Sequence, residues 1–244
     1  MIGIIKGDAR YAALSQMVES IHSNNLEDFY GIEELILPFK GIDNLYNIYG
    51  TNINLLDILK INSIKRIIVG NANNKLKDLC SHKNIELLEL LKNVDFVIEN
   101  AFLTAVGVVE YLNGVDKTIT DYKIIILGFG NLGFELARIL KNYKVDFSLY
   151  TEVELEEKFV RLCGYRISDF KDFDIVINTI PSNVKLDYSI FEGKRIIDLA
   201  SAPYGFDINL IDENKIKYEV LSSVPSKFCP FSAAKIIKKY IEIW

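Results

Sequence analysis

Three glycines, Gly128, Gly130 and Gly133, sit in the stretch ILGFGNLGFEL between an apolar run and a segment that carries Leu132, Leu136, Ile139 and Leu140 on one helical face. This is GxGxxG spacing in a strand–turn–helix context. Gly128 suits the tight turn, Gly130 the close approach of a pyrophosphate to the backbone, and Gly133 the packing of helix on strand. The unpaired N–H groups at the helix start, around Asn131 and Leu132, would meet the anion. The competing reading is a structural turn that binds nothing. Three glycines at these spacings favour a nucleotide, because one would serve the turn alone. About twenty positions further on, where such folds read the adenosine ribose, lie Tyr150, Thr151 and Glu152. Glu152 would accept the ribose hydroxyls and repel a 2′-phosphate, favouring NAD over NADP. Equally, as one acid of EVELEE, it would open the next helix, where the helix dipole favours a negative charge.

A second set of residues suits a small anion. Arg10, in KGDAR at the end of the first apolar run, has the planar fork that grips a carboxylate, and Asp8 is placed to orient it. The alternative is an Arg10–Asp8 surface pair with no ligand. Thr104 begins AFLTAVGVVEYL and offers either a hydroxyl to a substrate or a cap to a turn. In INTIP, Asn178, Thr179, Ile180 and Pro181 end an apolar run that proline breaks, and Ser201 ends the next one. Both loops belong at the carboxyl edge of a parallel sheet, where ligands of open α/β sheets bind, and are expected to line the nicotinamide end. No residue stands out for proton transfer, and Lys6, Asp8, Tyr204 and Lys227 are the candidates. Of the two histidines, His22 falls where a helix is expected to end and His82 follows Ser81 in a polar stretch, so both suit capping or surface roles. Cys80, Cys163 and Cys229 lack CxxC or Cys/His ligand spacing, which supports neither a disulfide framework nor a metal site. They read as buried small hydrophobes.

The elements that must position these groups follow from apolar runs alternating with segments of helical period, the pattern of βα units on a mainly parallel sheet. In residues 1–100 strands are predicted at 2–5, 34–37, 66–69, 85–88 and 96–98, and helices at 11–21, 55–59 and 75–80. Residues 101–117 read as a connector helix, with Phe102, Ala105, Val106, Val109 and Leu112 in helical register. Strands at 123–127, 145–150, 174–178, 195–199 and 218–221 then build a Rossmann domain over 118–225. Residues 226–244 hold a last helix from 232 to 243, with Ala233, Ile236, Ile237, Tyr240 and Ile241 on its apolar face, able to pack back on the N-terminal βα lobe.

The chain has 244 residues, half of them hydrophobic, a net charge of −5 and a mean hydropathy of +0.16. Lysines are scattered, which gives no footprint for a phosphate backbone, so nucleic acid is not an expected partner. No apolar stretch reaches the ~20 residues that span a bilayer, and MIGIIKGDAR lacks the pattern of a signal peptide, so a membrane is not expected and the reading is cytoplasmic. Self-association is left open by the sequence.

KGDAR, TAVG (104–107), LGFGNLG, INTIP, DLASAPYGFD (198–207) and VPSKFCPFSAA (224–234) together resemble the A-subunit family of dipicolinate synthase, its NAD(P)-binding component, over nearly the whole chain. The resemblance implies a two-lobed α/β protein of alanine dehydrogenase-like arrangement, with a substrate lobe, a Rossmann lobe and an active site in the cleft between them. It implies NAD or NADP as cofactor, a dicarboxylate substrate of the dihydrodipicolinate type oxidised to dipicolinate during spore formation (sporulation) and, as partner, a flavoprotein-like B-subunit. Aromatisation would drive the reaction. The chain departs from the family pattern at Val106, where a glutamate is usual, at Ser223, Ser226 and Phe231, where glycines and a lysine are usual, and at Glu152, where an arginine would suit NADP. Two further readings stay open: a cofactor-binding but catalytically quiet scaffold or regulatory subunit, and a small amino-acid or keto-acid dehydrogenase.

Overall fold

The computed structural model describes residues 1–114, 117–182, 184–201 and 204–243. The chain forms two compact α/β units, one of Met1–Asn100 with the C-terminal stretch from Pro225, the other of Ala101–Val224.

In the first unit the elements are β1 (Ile2–Ile5), α1 (Ala9–Ser15), β2 (Ser20–Ser23), β3 (Glu34–Ile36), α2 (Leu55–Ile61), β4 (Arg66–Val69), α3 (Asn74–Lys83) and β5 (Glu86–Glu89), followed by the start of α4 (Val94–Asn113). Its parallel sheet has the order β2-β1-β3-β4-β5. Successive residues of a strand point to opposite faces. Ile5, Leu35 and Ile67 therefore join Leu55, Ile58 and Leu76 in one core layer, while Ile4, Ile36 and Ile68 meet Tyr11, Leu14 and Phe96 in the other. That second layer is completed by Ala234, Ile237, Tyr240 and Ile241 of the C-terminal helix, Pro230–Glu242.

The second unit contains the rest of α4, then β6 (Lys123–Leu127), α5 (Asn131–Asn142), β7 (Asp146–Tyr150), α6 (Glu154–Leu162), β8 (Ile175–Asn178), β9 (Arg195–Asp198), α7 (Ile208–Glu213) and β10 (Lys217–Val220). The short α8 (Val224–Phe228) and then α9 (Pro230–Glu242) close the chain. The second sheet, also parallel, has the order β10-β9-β8-β6-β7. Both sheets are thus doubly wound with the strand order 2-1-3-4-5, which places a topological switch point between the first and third strands of each. The α/β class with parallel sheets is as the sequence indicated.

Several local readings are corrected. Residues 11–21 are not one helix: Asp8 caps α1 by accepting the Arg10 N–H, so the helix starts at Ala9 and stops at Ser15. Residues 20–23 are instead an edge strand paired in register with β1, which puts His22 in a strand rather than at a helix end. Residues 96–98 are helix, not strand, because the Asn93 side chain accepts the Phe96 N–H and starts α4 there. The connector helix consequently runs from Val94 to Asn113 rather than over 101–117, and residues 115 and 116 lie outside the described residues. Cys80 is buried, whereas Cys163 and Cys229 are only half-buried. No helix among the described residues is long and apolar enough to cross a membrane.

Candidate functional site

In the second unit the switch point lies between β6 and β8, and the glycine turn stands there. Gly128 has a φ of +91°, which an L side chain rarely adopts, and its N–H donates to the Tyr150 carbonyl at 2.8 Å, tying the turn to the end of β7. A Cβ on Gly133 would lie 2.1 Å from the Gly128 carbonyl oxygen, so only glycine fits where α5 crosses the turn. Gly130 is the opposite case, since a Cβ there would meet nothing within 4 Å. It occupies the N-cap of α5, where no side chain caps the helix. The amides of Asn131, Leu132 and Gly133 thus have no partner among the described residues. These are the features a phosphate at a helix start requires: open space in front of the turn and unspent donors behind it.

The INTIP loop closes one side. Thr179 donates both its N–H (2.9 Å) and its hydroxyl (2.8 Å) to the Leu127 carbonyl, which holds it beside Gly128, within 2.6 Å of where a Cβ on that glycine would be. Ile180 is half-buried and Pro181 exposed. Asn178 does a different job from the one read in the sequence. Its side chain is fully buried and committed: Oδ1 accepts the Ile180 N–H at 3.0 Å, and Nδ2 donates to the Ile180 carbonyl at 3.1 Å and to Asp198 at 2.9 Å. It therefore positions the loop from within.

Asp198, which the residue-by-residue reading did not single out, is the hub of this edge. Fully buried at the end of β9, its carboxylate accepts from Asn178 Nδ2, the Ala200 and Gly205 amides and the Tyr218 hydroxyl, each at 2.9 Å. Burial, then the hydrogen bond to Asp198 and its charge, push the Tyr218 phenol well above its ordinary value. The only signal was position, an acid ending an apolar run. Beyond it, Ser201 is exposed and its carbonyl accepts the Tyr204 N–H at 3.1 Å, and Tyr204 is exposed with a φ of +69°. Residues 202 and 203 of DLASAPYGFD lie outside the described residues.

At the end of β7, Tyr150 packs edge-on against Phe170 with ring centres 5.0 Å apart, and burial, then the Glu152 charge, raise its phenol. Thr151 is spent on starting α6, accepting the Val153 N–H and donating to Glu156 at 2.6 Å. Glu152 is exposed, with one oxygen accepting the Lys185 N–H at 3.3 Å. Thr104 stands in the interior of α4, ten residues past its start, rather than opening a helix.

In the first unit the corresponding switch point lies between β1 and β3. Arg10 is buried there, its guanidinium stacked 4.1 Å above the Phe39 ring. Its Nε and Nη2 donate to Asp8 at 2.7 to 3.0 Å, so the side-on edge of the fork is taken. Nη1 has no hydrogen-bond partner among the described residues and is not sealed from solvent. Burial alone would raise the Asp8 carboxyl. The hydrogen bond and charge of Arg10, with a hydrogen bond from the buried Ser226 and the Arg10 amide, outweigh it and hold the group below the ordinary carboxylate value. Lys6 is exposed just before them. Lys227 is also exposed, one residue past Ser226. Among the described residues no cluster of His, Cys, Asp or Glu could hold a metal ion.

Two parallel sheets, each with its polar residues at a switch point, and an uncapped glycine turn on one of them define a protein of the Rossmann type and of the dehydrogenase fold. No protein-family model matches the chain. Among solved structures it aligns on the A-subunit of dipicolinate synthase from Bacillus halodurans with a TM-score of 0.80 at 20% identity, covering 99% of this chain and 96% of that one. It aligns on a Salmonella D-lactate dehydrogenase with a TM-score of 0.59 at 15% identity, covering 90% and 79%. In sequence it is 27% identical over 226 residues to the A-subunit of dipicolinate synthase from Bacillus subtilis (strain 168), which covers 86% of this chain and 76% of that protein. The chain is thus a divergent relative resembling the dipicolinate synthase A-subunit over most of its length.

Proposed function

We propose that this protein is a nicotinamide-dinucleotide-dependent oxidoreductase that acts in the manner of the dipicolinate synthase A-subunit, oxidising a cyclic dihydrodipicolinate-type diacid to dipicolinate, and that its partner is a flavoprotein-like B-subunit. The observation that carries the reading is the pair of opposite glycine environments at the β6/β8 switch point, Gly133 closed by backbone and Gly130 open in front of unspent amides. A dinucleotide held there by the amides of Asn131 and Leu132 would supply hydride acceptance, the one step that needs a cofactor. The chain's own residues bind and orient. Thr179, Ile180 and Pro181 border the nicotinamide end, and Glu152, exposed at the end of β7, serves the adenosine ribose and favours NAD over NADP. Arg10 takes a substrate carboxylate on its remaining Nη1 and Nη2 donors while Asp8 fixes the plane of the fork. Thr104 and Ser201 complete the substrate contacts.

The occupied side-on edge of Arg10 favours a second reading, a subunit that binds the cofactor without turnover. One experiment separates the two: the purified chain, with and without the candidate flavoprotein, is given freshly prepared substrate and either NAD or NADP. Growth of dipicolinate's ultraviolet absorbance supports the oxidoreductase. Calorimetric NAD binding without product supports the quiet subunit, and absence of both removes the cofactor reading.

A further inference from the structure

The carboxylate of Asp198 is a fully buried anion that no lysine or arginine of the described residues pairs. Its Oδ1 accepts from Asn178 Nδ2 and the Ala200 amide, and its Oδ2 from the Gly205 amide and the Tyr218 hydroxyl, so all four partners are neutral. Arg195, the cation of the same strand, is taken by Glu219 at 2.8 Å. The surroundings are close, since a Cβ on Gly205 would lie 2.0 Å from Asn178 Nδ2. The charge is felt by its neighbours: after burial, the hydrogen bond to Asp198 and its charge raise the Tyr218 phenol. Four donors satisfy the lone pairs, yet they leave a net negative charge inside the protein, and an unpaired buried charge is costly to keep.

What the charge does follows from its place. Asn178, which donates to it, also holds the Ile180 N–H at 3.0 Å and the Ile180 carbonyl at 3.1 Å. One side chain therefore links the anion to the loop read above as bordering the nicotinamide end. An oxidised nicotinamide ring carries a positive charge that hydride transfer removes, so a fixed anion near it stabilises the oxidised form relative to the reduced one. At an effective dielectric of about 20, unit charges about 10 Å apart interact strongly enough to shift an equilibrium roughly tenfold. We propose that Asp198 makes this chain select the oxidised dinucleotide over the reduced one, so that it takes up the hydride acceptor and releases the spent form. Sealed from solvent, the carboxylate acts by its field and not by contact. The inference rests on the cofactor reading above and adds a direction to it.

Calorimetric titration tests it, with the oxidised and reduced forms of whichever of NAD and NADP the chain binds and with the matching ADP-ribose, which lacks the nicotinamide ring. The unmodified chain is expected to bind the oxidised form more tightly. Asp198→Asn keeps the shape and removes the charge, so it should cut the oxidised-to-reduced affinity ratio roughly tenfold while ADP-ribose binding holds. Tyr218→Phe removes one donor and keeps the charge, so the ratio should stay as it is. An unmodified chain that binds the reduced form more tightly overturns the proposal, whether or not Asp198→Asn folds. So does an Asp198→Asn variant that weakens all three ligands alike, which would make the carboxylate a strut only, or a Tyr218→Phe variant that moves the ratio as far as Asp198→Asn does. Both forms bound at a ratio that Asp198→Asn leaves unchanged removes this inference alone, whereas a chain that binds no dinucleotide removes the cofactor reading and this inference with it.

Discussion

Gly133 and Gly130 are chemically the same and three residues apart, yet the structure makes opposite demands on them. Gly133→Ala drives a methyl group into the Gly128 carbonyl. It should destabilise the second unit by about 1–3 kcal/mol or more, as overpacking does, seen as a lower melting temperature and lost amide protection in α5. Gly130→Thr meets open space, and threonine is as good an N-cap as glycine. The fold should be unchanged while NAD binding by calorimetry weakens at least tenfold, about 1.4 kcal/mol. Equal loss of stability in both variants would remove the ligand role of Gly130. At Asp8 the prediction concerns pH. Its folded-state value lies below the unfolded one, so the stabilisation it provides is present above the unfolded value of about 3.9 and is lost as pH falls through the folded value. Asp8→Asn should therefore flatten part of the acid limb of the stability profile. An unaltered limb in that variant would show that the clamp on Arg10 contributes nothing to folding. Asp8 and Arg10 stood out in the sequence because GDAR places both charges in one turn. The spent side-on edge did not, because side-chain rotamers decide it.

Elements with a clear apolar period were legible to within a residue or two. β4 and β6 begin and end where the runs RIIV and KIIIL do, and α9 buries Ala233, Ile237, Tyr240 and Ile241 of the face expected. The misread elements were those where a polar side chain outweighs the apolar pattern. Asp8 and Asn93 each start a helix by accepting an N–H two or three residues on, and β2 exists because its backbone pairs with β1. The weight of α9 can be measured at Ile237, which is 1% exposed within the core layer shared with Ile4, Tyr11 and Leu14. Ile237→Ala should cost about 2–5 kcal/mol, read as faster hydrogen exchange in β1 and α1. Ile236→Ala, at a partly buried neighbour, should cost clearly less. Equal losses would mean that α9 is docked by a different face.

For the molecule as a whole, the first unit is built from two separated pieces of chain, because α9 supplies one side of its core. A chain ending at Val224 should bind a hydrophobic dye and lose exchange protection in the first unit. The second unit, in which one core cluster lies within residues 125–218, should keep both its protection and its NAD affinity; collapse of both together would contradict this division. By itself the sequence determined the α/β class, most strands and the glycine turn. Those are set by period and steric need among residues close in the chain, so their pattern can be read along it. Only the tertiary structure decided that Asn178 is a buried strut, that Asp198 gathers donors from residues 178, 200, 205 and 218, and that Leu155, Phe159 and Leu162 of α6 stay exposed. Those facts depend on residues brought together from distant parts of the chain, or on what the rest of the fold leaves uncovered, and no local spacing encodes either.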